Sequence, residues 1–172
     1  MRVLQLMLLG ALALFLSGCI FTSDKPALSR TDAFPGVGNW RCKDINGKES
    51  STEVKVTPNG YQMAGDPAWF KRLDNNLYLL QSYGQVSKDV PGKRYIYGWI
   101  ELAGNRMLLY FVSMDGLATA SSNALRAGVE LESISNDIVP IYRVKGEPEQ
   151  ALRFLTFFTP RELMAVMSCV KS

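Results

Sequence analysis

The chain of 172 residues has no histidine. That absence removes Ser-His-Asp and Cys-His catalysis, histidine metal clusters and histidine-based pH switching. Cysteine is scarce: Cys19, Cys42 and Cys169 are the full set. Two or three cysteines without histidine make a poor zinc site, and no metal or cofactor is expected. Neither sign of charge dominates, with 19 Lys and Arg against 16 Asp and Glu. A balance so slight, with no Lys or Arg run, gives no electrostatic footprint for nucleic acid. Glycine-rich phosphate loops are missing, since Gly36-x-Gly38 extends to no fuller motif. Ser121-Ser122 has no base beside it, and no Ser-x-x-Lys occurs. There is no internal repeat and no low-complexity tract. An enzyme built on the common catalytic sets is therefore not expected. Nor is there an apolar run of the roughly 20 residues that a transmembrane helix needs.

What is present starts at the N-terminus. Arg2 precedes an apolar run from Val3 to Leu16, broken by Gln5 and Gly10, and Ser17-Gly18-Cys19 follows. A positive charge, a short apolar segment and small residues before a cut site make a secretory signal peptide over residues 1–18. Leu16-Ser17-Gly18-Cys19 resembles the lipobox of bacterial lipoprotein precursors. The resemblance implies that Cys19 is diacylated on sulfur, that the peptide before it is removed, and that the new amine is acylated, palmitate being a typical chain. It also implies a chain held by the membrane through its N-terminal lipid. Ile20 stands where an aspartate would signal retention at the inner membrane, so the implied location is the outer membrane, facing the periplasm.

If Cys19 carries lipid, Cys42 and Cys169 are an even pair in an exported, oxidising compartment. A Cys42–Cys169 disulfide is expected, with two buried thiols as the alternative. Residues 19–36 are rich in Ser, Thr, Asp, Lys and Pro and read as a flexible tether. About 16 such residues would hold the domain on the order of 20 Å from the membrane. Residues 37–172 are long enough for one domain with its own core.

The domain opens with alternation. Trp40 and Cys42 share one strand face, Arg41 and Lys43 the other. Turn signals at Asn46-Gly47, Pro58-Asn59-Gly60 and Asp74-Asn75-Asn76 separate further short strands. The longest hairpin runs from Arg94 to Ser113 around Gly104-Asn105. Tyr95, Tyr97 and Trp99 share one face of its first strand, and Ile96, Ile100 and Leu102 share the other. A strand apolar on both faces needs two covers. The aromatic trio Tyr95, Tyr97 and Trp99 is either a candidate binding surface or a core face beneath helices.

A short Ala-rich helix fits residues 117–126, and strands fit 129–133 and 139–144. Pro148, Leu152, Leu155 and Phe158 fit a helix. Thr159-Pro160-Arg161-Glu162 is a capping box, and Leu163, Val166, Met167 and Val170 after it have helical spacing. Glu130 and Glu132 share a strand face and are expected to be solvated rather than an acid–base pair. The fold class expected is α+β, mainly β: an antiparallel meander sheet or small barrel closed by two C-terminal helices.

Gly38-x-Trp40 on a first strand is similar to the opening of lipocalins. The resemblance implies a tryptophan packed at a closed barrel end, and a carrier of a small apolar ligand. The later lipocalin motifs are not found. The leading expectation is instead a non-catalytic binding or interaction module of the envelope, of accessory or inhibitor type, with a protein partner. Small lipoproteins that inhibit lysozyme are similar in size and sheet content, by analogy of scale alone.

Overall fold

The computed structural model describes residues 18–135 and 139–172; of the signal peptide expected over residues 1–18, residues 1–17 lie outside the described residues. Strand β1 is Ile20–Ser23. A meander follows: β2 (Gly38–Asp44), β3 (Glu49–Thr57), β4 (Gly60–Met63), β5 (Asp66–Arg72), β6 (Leu77–Gln85), β7 (Lys93–Ala103) and β8 (Arg106–Val112). Next come helix α1 (Met114–Ala127), strands β9 (Glu130–Ser135) and β10 (Ile141–Lys145), helix α2 (Pro148–Leu155), a single 3-10 turn (Pro160–Glu162) and β11 (Leu163–Lys171).

The meander closes on itself. β6 pairs with β7, and β11 lies between β8 and β2, antiparallel to both. The result is a closed, eight-stranded antiparallel barrel made of β2 to β8 and β11. The turns at 58–59, 73–76 and 104–105 mark one end, called upper here. Gly104 takes a left-handed φ of 61° in the two-residue turn that joins β7 to β8. The outer three strands β1, β10 and β9 form a wing. β1 pairs antiparallel with Tyr95–Tyr97 at the lower half of β7, and parallel with β10. β8 holds the upper half of the same β7 edge, Trp99 to Ala103.

Period two along these strands produces two cores. Inside the barrel lie Trp40, Cys42, Val54, Ala68, Phe70, Tyr78, Leu80, Ile100, Met107 and Cys169. Outside the β6–β8 wall lie Leu79, Tyr97 and Trp99, covered by Ala120, Ala124 and Ala127 of α1 and by Ala151, Phe154 and Leu155 of α2, with Phe158 beyond it. The small alanine face lets α1 approach the wall closely. Ser113 caps α1 by accepting from the Gly116 N–H at 3.0 Å, and Gly128 ends it in the left-handed conformation. The Arg94–Ser113 hairpin thus has both of its expected covers, the barrel interior and the helices.

Two expectations are corrected. Residues 163–170 form a strand, not a helix. The capping box is real, since Glu162 accepts from the Thr159 N–H at 2.8 Å, but it caps one 3-10 turn only. Leu163 onward then pairs with β8 on one side, and Met167 onward with β2 on the other. A bulge between Ala165 and Met167 breaks the alternation, which is why the apolar spacing mimics a helix. The two helices of the domain are therefore α1 and α2.

Residues 19–36 are not a flexible tether. Cys19 and Phe21 are buried, and β1 is part of the sheet. Buried Gln81 clasps the next stretch, accepting from the Leu28 N–H at 2.8 Å and donating to the Leu28 carbonyl at 3.0 Å. Asp32 N–H donates to the Phe70 carbonyl at 2.7 Å. Phe34 enters the barrel and stacks on Phe70, ring centroids 3.8 Å apart. The polar and small residues of this stretch hide four apolar anchors, Phe21, Ala27, Leu28 and Phe34, each of which is buried.

Cys42 and Cys169 form a disulfide across the β2–β11 seam, where the two are register partners. It joins the first barrel strand to the last, 127 residues apart in sequence. The chain-entropy model assigns a loop of that length about 4–5 kcal/mol. Reduction should therefore lower the melting temperature clearly. Titration of the denatured, non-reduced barrel should find neither Cys42 nor Cys169 as a free thiol, and two such thiols would rule the bridge out.

Candidate functional site

Cys19 sits in the fork where β8 and β1 diverge. The Cys19 N–H donates to the Val112 carbonyl at 2.6 Å, and the Ile20 N–H to the Pro140 carbonyl at 3.0 Å. Cys19 shares parity with Phe21, whose ring is buried against Phe154 and Phe158 at 5.0 and 5.5 Å. Its Sγ consequently points to the helix side of the sheet, 4.0 Å from the Met114 Sδ at the start of α1. Burial pushes the thiol up to about 11. Met114 is 45% exposed, so a flexible, partly solvated side chain lies against Sγ.

On the other side of that fork is the lower mouth of the barrel. Ile96, Phe111 and Met164 carry the inward parity of Ile100, Met107 and Leu109, yet each is only half-buried. Gly18 lies against them: a Cβ placed there would come within 3.1 Å of Phe111 Cβ and 3.5 Å of Met164 Cε. The upper end differs. Phe34 and Trp40 close it, the Trp40 indole N–H donates to the Gly36 carbonyl at 2.8 Å, and the Lys171 ammonium lies 5.7 Å from the Trp40 ring centroid. The pocket left there, about 230 Å³, is shallow and lined by Pro35, Asn75, Asn76, Leu102 and Lys171 among others.

The aromatic trio is placed as follows. Tyr97 and Trp99 are fully buried, and Tyr95 is half-buried beside Tyr83 at 4.9 Å. Trp99 packs edge-on against Phe158, centroids 5.6 Å apart. The Tyr97 hydroxyl shares a 2.7 Å hydrogen bond with Ser23 Oγ and accepts from the Ala27 N–H at 3.1 Å. Burial pushes its pKa up to about 12. Tyr97 and Trp99 cannot meet a partner while α2 is docked, whereas Tyr95 stays partly exposed; Tyr97 instead pins the segment that follows β1.

Glu130 and Glu132 face two cations. Lys145 Nζ lies 3.2 Å from Glu132 and 3.5 Å from Glu130, and Arg143 Nε donates to Glu132 at 2.7 Å. The hydrogen bonds from Lys145 and Arg143 hold the Glu132 carboxyl below its ordinary value, so it stays ionised. Arg143 and Arg94 also reach Asp24 from two sides. This is a wing-stapling ion network at the surface, and Glu132 within it is no proton donor for acid catalysis. No local sequence signal marks the Asp24 end of it, because its partners lie 70 and 119 residues away.

Compared with protein families, with curated proteins and with solved structures, the chain matches none.

The burial of Trp99 is testable. Trp99→Ala should cost about 3–5 kcal/mol as a core truncation. Trp99→Phe should cost much less, because the buried indole N–H has no hydrogen-bond partner among the described residues. Chemical denaturation of the two variants checks both, and an unaltered Trp99→Ala midpoint would refute the packing.

Proposed function

We propose that the chain is a lipid-anchored protein of the bacterial envelope, attached through Cys19, whose barrel acts as a scaffold for binding a protein partner at its surface rather than for catalysis. The observation that carries this reading is the filled barrel. Phe34, Trp40, Phe70, Tyr78, Ile100, Met107 and the Cys42–Cys169 bridge occupy its upper and middle layers. Small antiparallel barrels of eight strands have just enough interior for their own side chains or one small ligand. Here the side chains take that space, and function moves to the outside. Among the described residues no helix lies over the wall of β3, β2 and β11, and its exposed residues include Arg41, Lys43, Glu49 and Val170. A groove of about 850 Å³ runs over this uncovered wall. That is where a partner of mixed polarity would fit. The outer membrane facing the periplasm is the location this reading favours, on the strength of Ile20 after the lipobox cysteine.

A second reading, a carrier of a small apolar ligand, draws support from one observation. Ile96, Phe111 and Met164 face the lower mouth without full cover. A carrier should bring a stoichiometric lipid or other apolar molecule through purification, detectable by extraction and mass spectrometry. A scaffold should bring none.

The anchor is tested at one atom. Lipidation replaces the Sγ proton by a diacylglyceryl carbon, and a hydroxyl at the same position does not substitute. Cys19→Ser should take up no labelled fatty acid and should retain residues 1–18. Equal labelling of Cys19→Ser and the unaltered chain would sink the anchored reading.

A further inference from the structure

We propose that the domain lies directly on the bilayer, with no spacer, on the rim formed by Cys19, Phe111, Met114 and the turn Pro160–Glu162; this rests on the lipid-anchored reading. A lipidated cysteine ordinarily gains distance from the membrane by the free chain after it. About 16 residues of coil would give roughly 20 Å. Here the free chain has zero length. Ile20, the next residue, is already in β1 with Ile141 as its register partner. Cys19 itself is bonded to Val112.

Maturation leaves that pinning intact. An acylated α-amine keeps one N–H, and the contact with the Val112 carbonyl needs only one. The acyl chains leave from two atoms of one buried residue, Sγ and the α-nitrogen. Several chains together hold firmly, so the residue they hold must sit at the headgroup level. Whatever surrounds Cys19 then sits there too.

The surroundings suit an apolar neighbour. Met114, a soft side chain 45% exposed, lies against Sγ and can move to make room for a thioether. Loss of residues 1–18 takes away Gly18, which packs against Phe111 and Met164. Both side chains are already half-exposed with it in place. The lower mouth therefore gains open apolar surface in the same maturation that supplies the lipid. A water-filled gap under an uncovered apolar rim would be unfavourable, and contact with the acyl and headgroup boundary removes it. The occupant of this rim is the lipid surface to which the chain is already tied.

The geometry also sets the direction of the barrel. Its upper end, with the turn at Asn59, points away from the membrane. Strands of 7 to 11 residues such as β8 and β7 rise about 3.3 Å per residue. Asn59 should then stand on the order of 20 Å above the surface even with strands tilted.

The test uses the lipidated protein purified from membranes and reconstituted in vesicles of phosphatidylethanolamine and phosphatidylglycerol. Cys19 is blocked by its thioether and Cys42 by Cys169, so one added cysteine takes a fluorophore alone. Met114→Cys and Arg161→Cys place it at the rim, both at exposed positions, and Asn59→Cys places it at the far end. Vesicles with nitroxide headgroups should quench the two rim positions several-fold more strongly than Asn59→Cys. A ten-residue Gly-Ser insertion between Cys19 and Ile20 should abolish that difference while the protein still floats with vesicles. Equal, weak quenching at all three positions in protein that floats would overturn the flush arrangement and leave the anchored reading standing. Protein that does not float with vesicles would overturn both.

Discussion

Strand β7 carries the constraint on which the rest depends: both of its faces and both of its edges are committed. One edge belongs wholly to β6. The other is divided, the lower half to β1 and the upper half to β8, with Gly98 at the division. A Cβ at Gly98 would lie 3.2 Å from Leu109 Cδ1, 3.3 Å from the Tyr110 carbonyl and 3.4 Å from Phe111 Cε1. Such contacts are tight, and β8 and its side chains would have to give by a few tenths of an ångström. Glycine at this position lets β8 approach and then peel away, and the space it vacates admits β1. The fork in which Cys19 sits is the direct result.

The two faces of β7 tie the barrel to its covering layer. Ile100 packs inward, while Tyr97 and Trp99 pack outward on Phe154, Leu155 and Phe158. Full burial of each such side chain is worth about 1.5–3 kcal/mol, so losing the helices would expose several of the largest contributors at once. The polar groups in this layer are matched. Gln81 satisfies both the N–H and the carbonyl of Leu28, and Tyr97 serves Ser23 and Ala27. Buried amides and hydroxyls used in this way fix one register for residues 23–28, where apolar packing alone would tolerate slippage.

Much of this was legible in the sequence because it is local. Alternation placed the meander strands, turn chemistry separated them, and the doubly apolar hairpin required a cover on each side. The Cys42 and Cys169 pair even carried a long-range fact, the meeting of first and last barrel strands. What was not legible depends on partners far away in sequence. β1 is four residues inside a polar stretch, paired with strands some 75 and 120 residues on. Composition therefore presents it as tether. Leu163 to Val170 has helical spacing by the accident of a bulge, and only the unpaired edges of β8 and β2 make it a strand. The candidate site divides the same way. Cys19 is marked by a local motif, whereas its burial under Met114 and the half-covered Phe111 and Met164 come from topology.

The two natures of residues 19–36 are compatible on physical grounds. A segment with weak local preference, broken by Pro26 and Pro35, holds no structure by itself and can stay extended. Closing its contacts with β7 and β10 means closing long loops, whose entropic cost must be met before pairing repays it. It can dock only when the partners it needs are in place. Once docked, it is held by four buried apolar side chains, by the Gln81 clasp and by the Asp24 ion pairs with Arg94 and Arg143. Under the proposed lipid attachment, a residue that must be reachable first and immobile afterwards is best placed at the head of such a segment. Cys19 is in that position, one residue before β1.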